Sequence, residues 1–114
     1  MIELKLETNG RTLRVGIVGE EALDGLNALD FKTQLLGRVG PEPNLVLLLD
    51  PILSIDSAGV GALVALLKAV KKLGGRMILA GVQPQVLSVL DIIRLTTVFE
   101  IVPDEEAALH ALAA

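Results

Sequence analysis

The five consecutive aliphatic residues Leu45-Val46-Leu47-Leu48-Leu49 constrain this chain more than any other feature. A β-strand sends successive side chains to opposite faces, so an unbroken apolar run of strand length has to be covered on both sides. Met77-Ile78-Leu79-Ala80 repeats the pattern. Both runs therefore read as buried strands of a sheet with helices packed on it. The core they belong to is aliphatic: 52% of the 114 residues are hydrophobic, and the only aromatics are two Phe.

The rest of the chain divides around these strands. Ile2, Leu4 and Leu6 alternate with Glu3, Lys5 and Glu7, the pattern of a half-buried strand. Asn9-Gly10 signals a hairpin turn, because both residues tolerate positive φ, and Leu13, Val15 and Ile17 form the return strand. Gly19-Glu20-Glu21 ends it. Leu26 to Val39 carries Leu29, Leu35 and Leu36 at helical spacing, with Asp24 as its cap, and Gly40-Pro41-Glu42-Pro43 stops it. A second helix runs from Ser57 to Leu73 and ends at Gly74-Gly75. Pro84 opens a short helix to about Arg94, and Val98 to Val102 is an edge-like strand. Pro103-Asp104-Glu105-Glu106 starts a last helix whose early acids suit the helix dipole. The order ββαβαβαβα, without repeat or linker, predicts one α/β domain over residues 1–114: an open, mixed sheet.

Composition removes several functions. The formal net charge is −4, and no basic stripe is available to meet phosphates, so nucleic acid is not the expected partner. There is no Cys, and His110 is the single His, so neither a thiolate metal site nor a clustered carboxylate site is expected. The longest uncharged apolar stretch, Ala58 to Leu67, is far shorter than the roughly 20 residues that span a bilayer. The N-terminus alternates like a strand and does not resemble a signal peptide, so the cytoplasm is the expected location.

One segment carries a functional signal. Ile55-Asp56-Ser57-Ala58-Gly59-Val60-Gly61 sets a hydroxyl beside a carboxylate where the long helix begins. The plain reading makes Ser57 and Asp56 helix caps. The sharper reading makes Ser57 a phosphorylation site. A phosphate adds roughly −1.5 to −2 charges, which a helix N-terminus tolerates and a docked partner would feel. At about 100° per residue, Lys68, Lys71 and Lys72 share Ser57's direction, whereas Leu63, Leu66, Val70 and Leu73 point to the sheet. Gly61, Val64 and Ala65 then lie beside Ser57 on an exposed small-residue patch that suits a docking protein. The competing reading packs Val60 and Val64 under a neighbouring loop. No base stands near Ser57 in sequence to make it a nucleophile. Gly59-Val60-Gly61 also lacks the third Gly of a dinucleotide fingerprint, since position 64 is Val, and lacks a phosphate-loop Lys. No cofactor is expected, and the chain does not read as an enzyme.

Asp56-Ser57-Ala58-Gly59-Val60-Gly61 resembles the D-S-x-G-[hydrophobic]-G signature of STAS domains, named for sulphate transporters and anti-sigma factor antagonists. Lys71-Lys72-Leu73-Gly74-Gly75-Arg76 and the tail from Val89-Leu90-Asp91 through Leu95 to Ile101 and Glu105-Glu106-Ala107 are similar to the family as well, so the likeness covers essentially the whole chain. The resemblance implies an open mixed sheet of four to five strands with helices mainly on one face. It also implies the role of a stand-alone anti-sigma factor antagonist. In that scheme the unphosphorylated protein binds an anti-sigma factor that is also a Ser kinase, and the sigma factor is released. The kinase phosphorylates the signature Ser, here Ser57, and a PP2C-type phosphatase reverses the modification. Asp24, Asp56, Ala58, Gly59, Val60, Gly61 and Val64 become the expected partner-binding residues.

Three departures from the family pattern stand out. Gly19-Glu20 is separated from Leu23-Asp24 by two residues, so Asp24 is the candidate for a displaced family Asp. The loop Asp50 to Ile55 is shorter than usual, and Ala58 replaces a second hydroxyl. A STAS subunit of a transport or lipid-trafficking complex and a non-enzymatic ligand binder are the alternatives, and the exposed patch is also open to a homodimer.

Overall fold

The computed structural model describes residues 1–113. Strands β1 (Glu3–Asn9) and β2 (Thr12–Val18) form the N-terminal hairpin, and a two-residue strand β3 (Ala22–Leu23) leads into helix α1 (Ala28–Leu36). Strand β4 (Asn44–Leu48), a second short strand β5 (Ser54–Ile55) and helix α2 (Ser57–Lys72) follow. Strand β6 (Arg76–Ala80), helix α3 (Pro84–Ile92), strand β7 (Glu100–Val102) and helix α4 (Glu105–Ala113) complete the chain.

The main sheet has the order β1-β2-β4-β6-β7, antiparallel between β1 and β2 and parallel elsewhere. The unbroken apolar runs occupy β4 and β6, near its centre. Leu45, Leu47, Met77 and Leu79 join Leu13, Val15 and Ile17 on the face that carries Phe31 and Leu35 of α1, Leu63, Leu66 and Val70 of α2, and Val86 and Leu90 of α3. The alternate residues Val46, Ile78 and Ala80 pack on Ala108 of α4 on the other face. Arg14 of β2 pairs with Glu105 of α4. Arg76 grips Glu100 of the edge strand through two hydrogen bonds, of 3.0 and 2.6 Å.

Local expectations shifted in five places. The hairpin turns on Gly10-Arg11, not Asn9-Gly10. Asn9 pairs with Thr12, and Gly10 alone takes positive φ (62°), as a turn of type II′ requires at its first central residue. Helix α1 begins four residues after Asp24, which is therefore not its cap. Asn27 holds the cap position, but its amide is turned back on the loop, donating to the Ala22 carbonyl (2.8 Å) and accepting from the Asp24 N–H (3.0 Å). The buried stripe of α1 is Ala28-Phe31-Leu35, which leaves Leu29 69% exposed and Leu36 at the surface. Leu73 follows the last turn of α2 and is likewise exposed. The short strands β3 and β5 pair with each other in parallel and were not visible as periodicity. Two residues are too few to alternate.

Candidate functional site

The N-terminus of α2 is built by one carboxylate. Asp56 is the N-cap, with extended backbone (φ −112°, ψ −172°), and its Oδ1 accepts from the Gly59 N–H at 3.0 Å. Its Oδ2 accepts from the Gly25 N–H at 3.1 Å, across 31 residues of chain. The same side chain thus caps α2 and ties the loop before α1 to it. These hydrogen bonds, chiefly that from Gly59, hold the Asp56 carboxyl below the usual carboxylate range.

Ser57 is therefore the first residue of the helix, not a cap beside Asp56. Its side chain is exposed, and among the described residues its hydroxyl makes no hydrogen bond. A cap hydroxyl would be engaged by a backbone N–H. This one is left to solvent.

Gly59 lies one turn in and faces the opposite way. A Cβ there would stand 2.6 Å from Ile55 Cγ1 and 2.9 Å from the Leu23 carbonyl carbon, and closer still to the Leu23 oxygen. Absence of a side chain is what lets α2 lie against β3 and β5. Gly61, two residues on, faces open space. Ala58 is exposed, and Val60 and Val64 are half-buried. The flat patch expected around Ser57 is instead a ridge between two grooves. On one side Asp56, Ser57, Val60, Gly61 and Val64 face Val89 and Ile93 of the α3 region. On the other, Ala58, Gly61 and Ala62 face Gly25, Ala28, Leu29 and Lys32.

The margins are apolar as well. Leu26 is 96% exposed and Ile92 79%, with Leu29 and Ile93 also at the surface. None of these four was singled out from the sequence as a site residue. Leu26 and Leu29 sit three apart, and Ile92-Ile93 close α3. Those spacings read as core until the fold shows which stripe faces inward. Asp24 lies next to Gly25, half-buried, and its carboxylate accepts from its own Leu26 N–H at 3.0 Å. It shapes the loop that Asp56 holds. His110 is exposed on α4, across the sheet from α2. No group of three or more His, Asp or Glu able to hold a metal occurs among the described residues, and no helix there is long and apolar enough to cross a membrane.

Comparison with known proteins agrees with this architecture. The family model described as the STAS domain matches residues 3–108. A protein from Thermotoga maritima put forward as an anti-sigma factor antagonist superposes with a TM-score of 0.88 at 22% identity, over 97% of this chain and 95% of that one. The anti-sigma factor antagonist SpoIIAA in its unphosphorylated form gives 0.70 at 18% identity, over 98% and 99% of the two chains. The murine anion transporter Slc26a9 gives 0.72 at 19% identity, over 95% of this chain but only 19% of the transporter. At these identities the likeness is one of fold.

Proposed function

This chain belongs to the STAS domain family, and we propose that it is an anti-sigma factor antagonist switched off by phosphorylation of Ser57. The observation that carries the proposal is the exposed, unengaged Ser57 hydroxyl standing on a ridge between two apolar grooves. Asp56 already caps the helix, so Ser57 is not needed to hold it together.

In this reading an anti-sigma factor with Ser kinase activity docks over Ser57, Ala58, Gly61 and the groove walls Val60 and Val64, and the sigma factor it held is freed. Gly59 and Asp56 set the ridge's shape from beneath, and Asp24 supports the adjoining loop. A phosphate on Ser57 places roughly −1.5 to −2 charges on the docking surface. The N-terminal end of α2 tolerates that charge, so the domain stays folded while an apolar partner surface is repelled. A PP2C-type phosphatase restores the binding form. The phosphoryl passes from ATP held by the partner kinase to the Ser57 hydroxyl, with ADP leaving, and the catalytic groups are the partner's, so in this reading the chain itself is not an enzyme and needs no cofactor. The action is cytoplasmic and involves no direct contact with nucleic acid. The transport-subunit reading has less support, since the likeness to Slc26a9 is confined to a small part of that chain.

The test is intact-mass spectrometry after incubation with ATP and a candidate anti-sigma kinase from the same genome. One added phosphate, lost in Ser57→Ala, is the expected result. A cognate, active kinase that leaves the mass unchanged would overturn the proposal.

A further inference from the structure

We propose that β1 is a homodimerisation edge, along which a second copy of this chain adds antiparallel to make one continuous sheet. β1 lies at the end of the sheet order and pairs on one side only, with β2. The direction of its backbone groups follows from the hairpin. With Gly10-Arg11 as a two-residue loop, Asn9 and Thr12 are the hydrogen-bonded closing pair. Glu7, Lys5 and Glu3 then bond to β2, whereas Leu4, Leu6 and Thr8 turn their N–H and C=O groups outward.

Ile2, the next position in that series, bears this out. Its N–H donates to Asp30 Oδ2 at 2.8 Å, and its carbonyl accepts from Gln34 Nε2 at 2.9 Å, so α1 satisfies the outward groups at that end. No such partner reaches Leu4, Leu6 or Thr8 among the described residues. The free edge is bounded by the Ile2 contacts at one end and the turn at the other.

The side chains choose the occupant. Lys5 lies opposite Gly16 on β2 and has no ion-pair partner among the described residues, whereas Glu7 meets Arg14 of β2 at 3.5 Å with its side chain still 61% exposed. A twofold axis through Leu6 pairs the whole of β1 with its own copy. Leu6 meets Leu6 and Leu4 meets Thr8 as hydrogen-bonded pairs, for about six new backbone hydrogen bonds. Lys5 then falls opposite the partner's Glu7 as a non-hydrogen-bonded pair, where side chains approach most closely. The half-buried Leu4 and Leu6, already packed on the core, are covered further. Charged residues on an edge strand ordinarily block pairing. Here the Glu-Lys-Glu alternation is complementary to itself in this register, whereas sliding by one pair of residues sets Lys5 against Lys5. The edge is remote from α2, which lies over the centre of the sheet. A dimer of this kind would present two Ser57 surfaces at once, and it stands or falls independently of the phosphorylation reading.

Sedimentation and light scattering on the whole chain, from about 1 μM to about 1 mM, test it. The expected mass rises with concentration towards twice 12.0 kDa. Thr8→Pro removes an outward N–H without touching the β1–β2 ladder and should abolish the rise. Lys5→Glu alone and Glu7→Lys alone each create two like-charge contacts per dimer and should weaken dimerisation about tenfold. Mixing those two variants should restore a heterodimer, because every cross-strand contact is then of opposite charge. Circular dichroism on each variant confirms that it is folded. A chain that stays monomeric throughout, a dimer indifferent to Thr8→Pro, or charge variants that fail to recombine would each overturn the proposal.

Discussion

Two glycines in α2, two residues apart, should respond oppositely to the same substitution. Gly59→Ala introduces a methyl group 2.6 Å from Ile55 Cγ1 and 2.9 Å from the Leu23 carbonyl carbon, with the Leu23 oxygen nearer still. Ile55 can rotate, but the Leu23 backbone is held on two sides. It pairs with β5, and its carbonyl accepts the Asp56 N–H at 3.3 Å. Either β3 moves by about 1 Å or α2 lifts, and overpacking of this kind costs about 1–3 kcal/mol. The helix gains about 1 kcal/mol from losing a glycine, which offsets only part of it. Because the clash is with backbone rather than a flexible side chain, the upper half of that range applies, and a net loss of about 1–2 kcal/mol follows, at the upper end if the Asp56 N–H is left unpaired. Gly61→Ala meets nothing within 4 Å and should keep the helix gain, about 0.5–1 kcal/mol. At about 4 °C per kcal/mol, the two variants should melt roughly 10 °C apart on either side of the wild type. Urea unfolding with an unchanged m-value would confirm that each substitution changes stability without altering the surface exposed on unfolding. If Gly59→Ala is as stable as the wild type, the close approach of β3 to α2 is wrong, and with it the account of why the ridge is narrow there.

Three other variants probe the site and its surroundings. Ser57→Asp should leave the melting temperature within about 2 °C of the wild type, since a carboxylate is welcome at a helix N-terminus, while partner binding measured by calorimetry falls at least tenfold. Asp56→Ala should lower stability at neutral pH. Because Asp56's carboxyl is depressed in the folded state, its contribution is present above the ordinary Asp pKa and disappears as pH falls through the folded value. The difference between wild type and variant in urea should therefore shrink between neutral pH and strongly acidic pH, and a constant difference would show that the charge is not what matters. Arg94 takes φ +60° just after α3, a conformation that suits glycine, so Arg94→Gly should raise stability by about 1 kcal/mol in thermal unfolding.

Much of the fold was legible because its signals are local. The apolar runs of β4 and β6, the alternation in β1 and β2 and the long apolar α2 each announce their type within a few residues, and their order implies the mixed sheet. Ser57 was likewise marked by its place at a helix start, directly after Asp56. What periodicity could not supply was the direction of each apolar stripe. Leu29 and Leu35 have equal standing in a helical pattern. Only the packing of α1 shows that Ala28, Phe31 and Leu35 point inward and that Leu29 lines a groove.

The tertiary structure alone decided the character of the site. Sequence proximity made Asp56 and Ser57 equal candidates for the cap. The fold brings Gly25 within reach of Asp56, and a carboxylate with two acceptor oxygens can serve both Gly25 and Gly59, whereas one hydroxyl cannot hold both positions so well. That leaves the Ser57 hydroxyl free. The groove walls come from α1 and α3, distant in sequence from the signature, because short strands β3 and β5 pull their loops against α2 at Gly59. The sequence by itself determined the helices and the longer strands, since each depends on its neighbours' spacing, whereas β3 and β5 exist only through their pairing with each other. Which of them meet across the chain was decided by closure of the sheet, which no local pattern encodes.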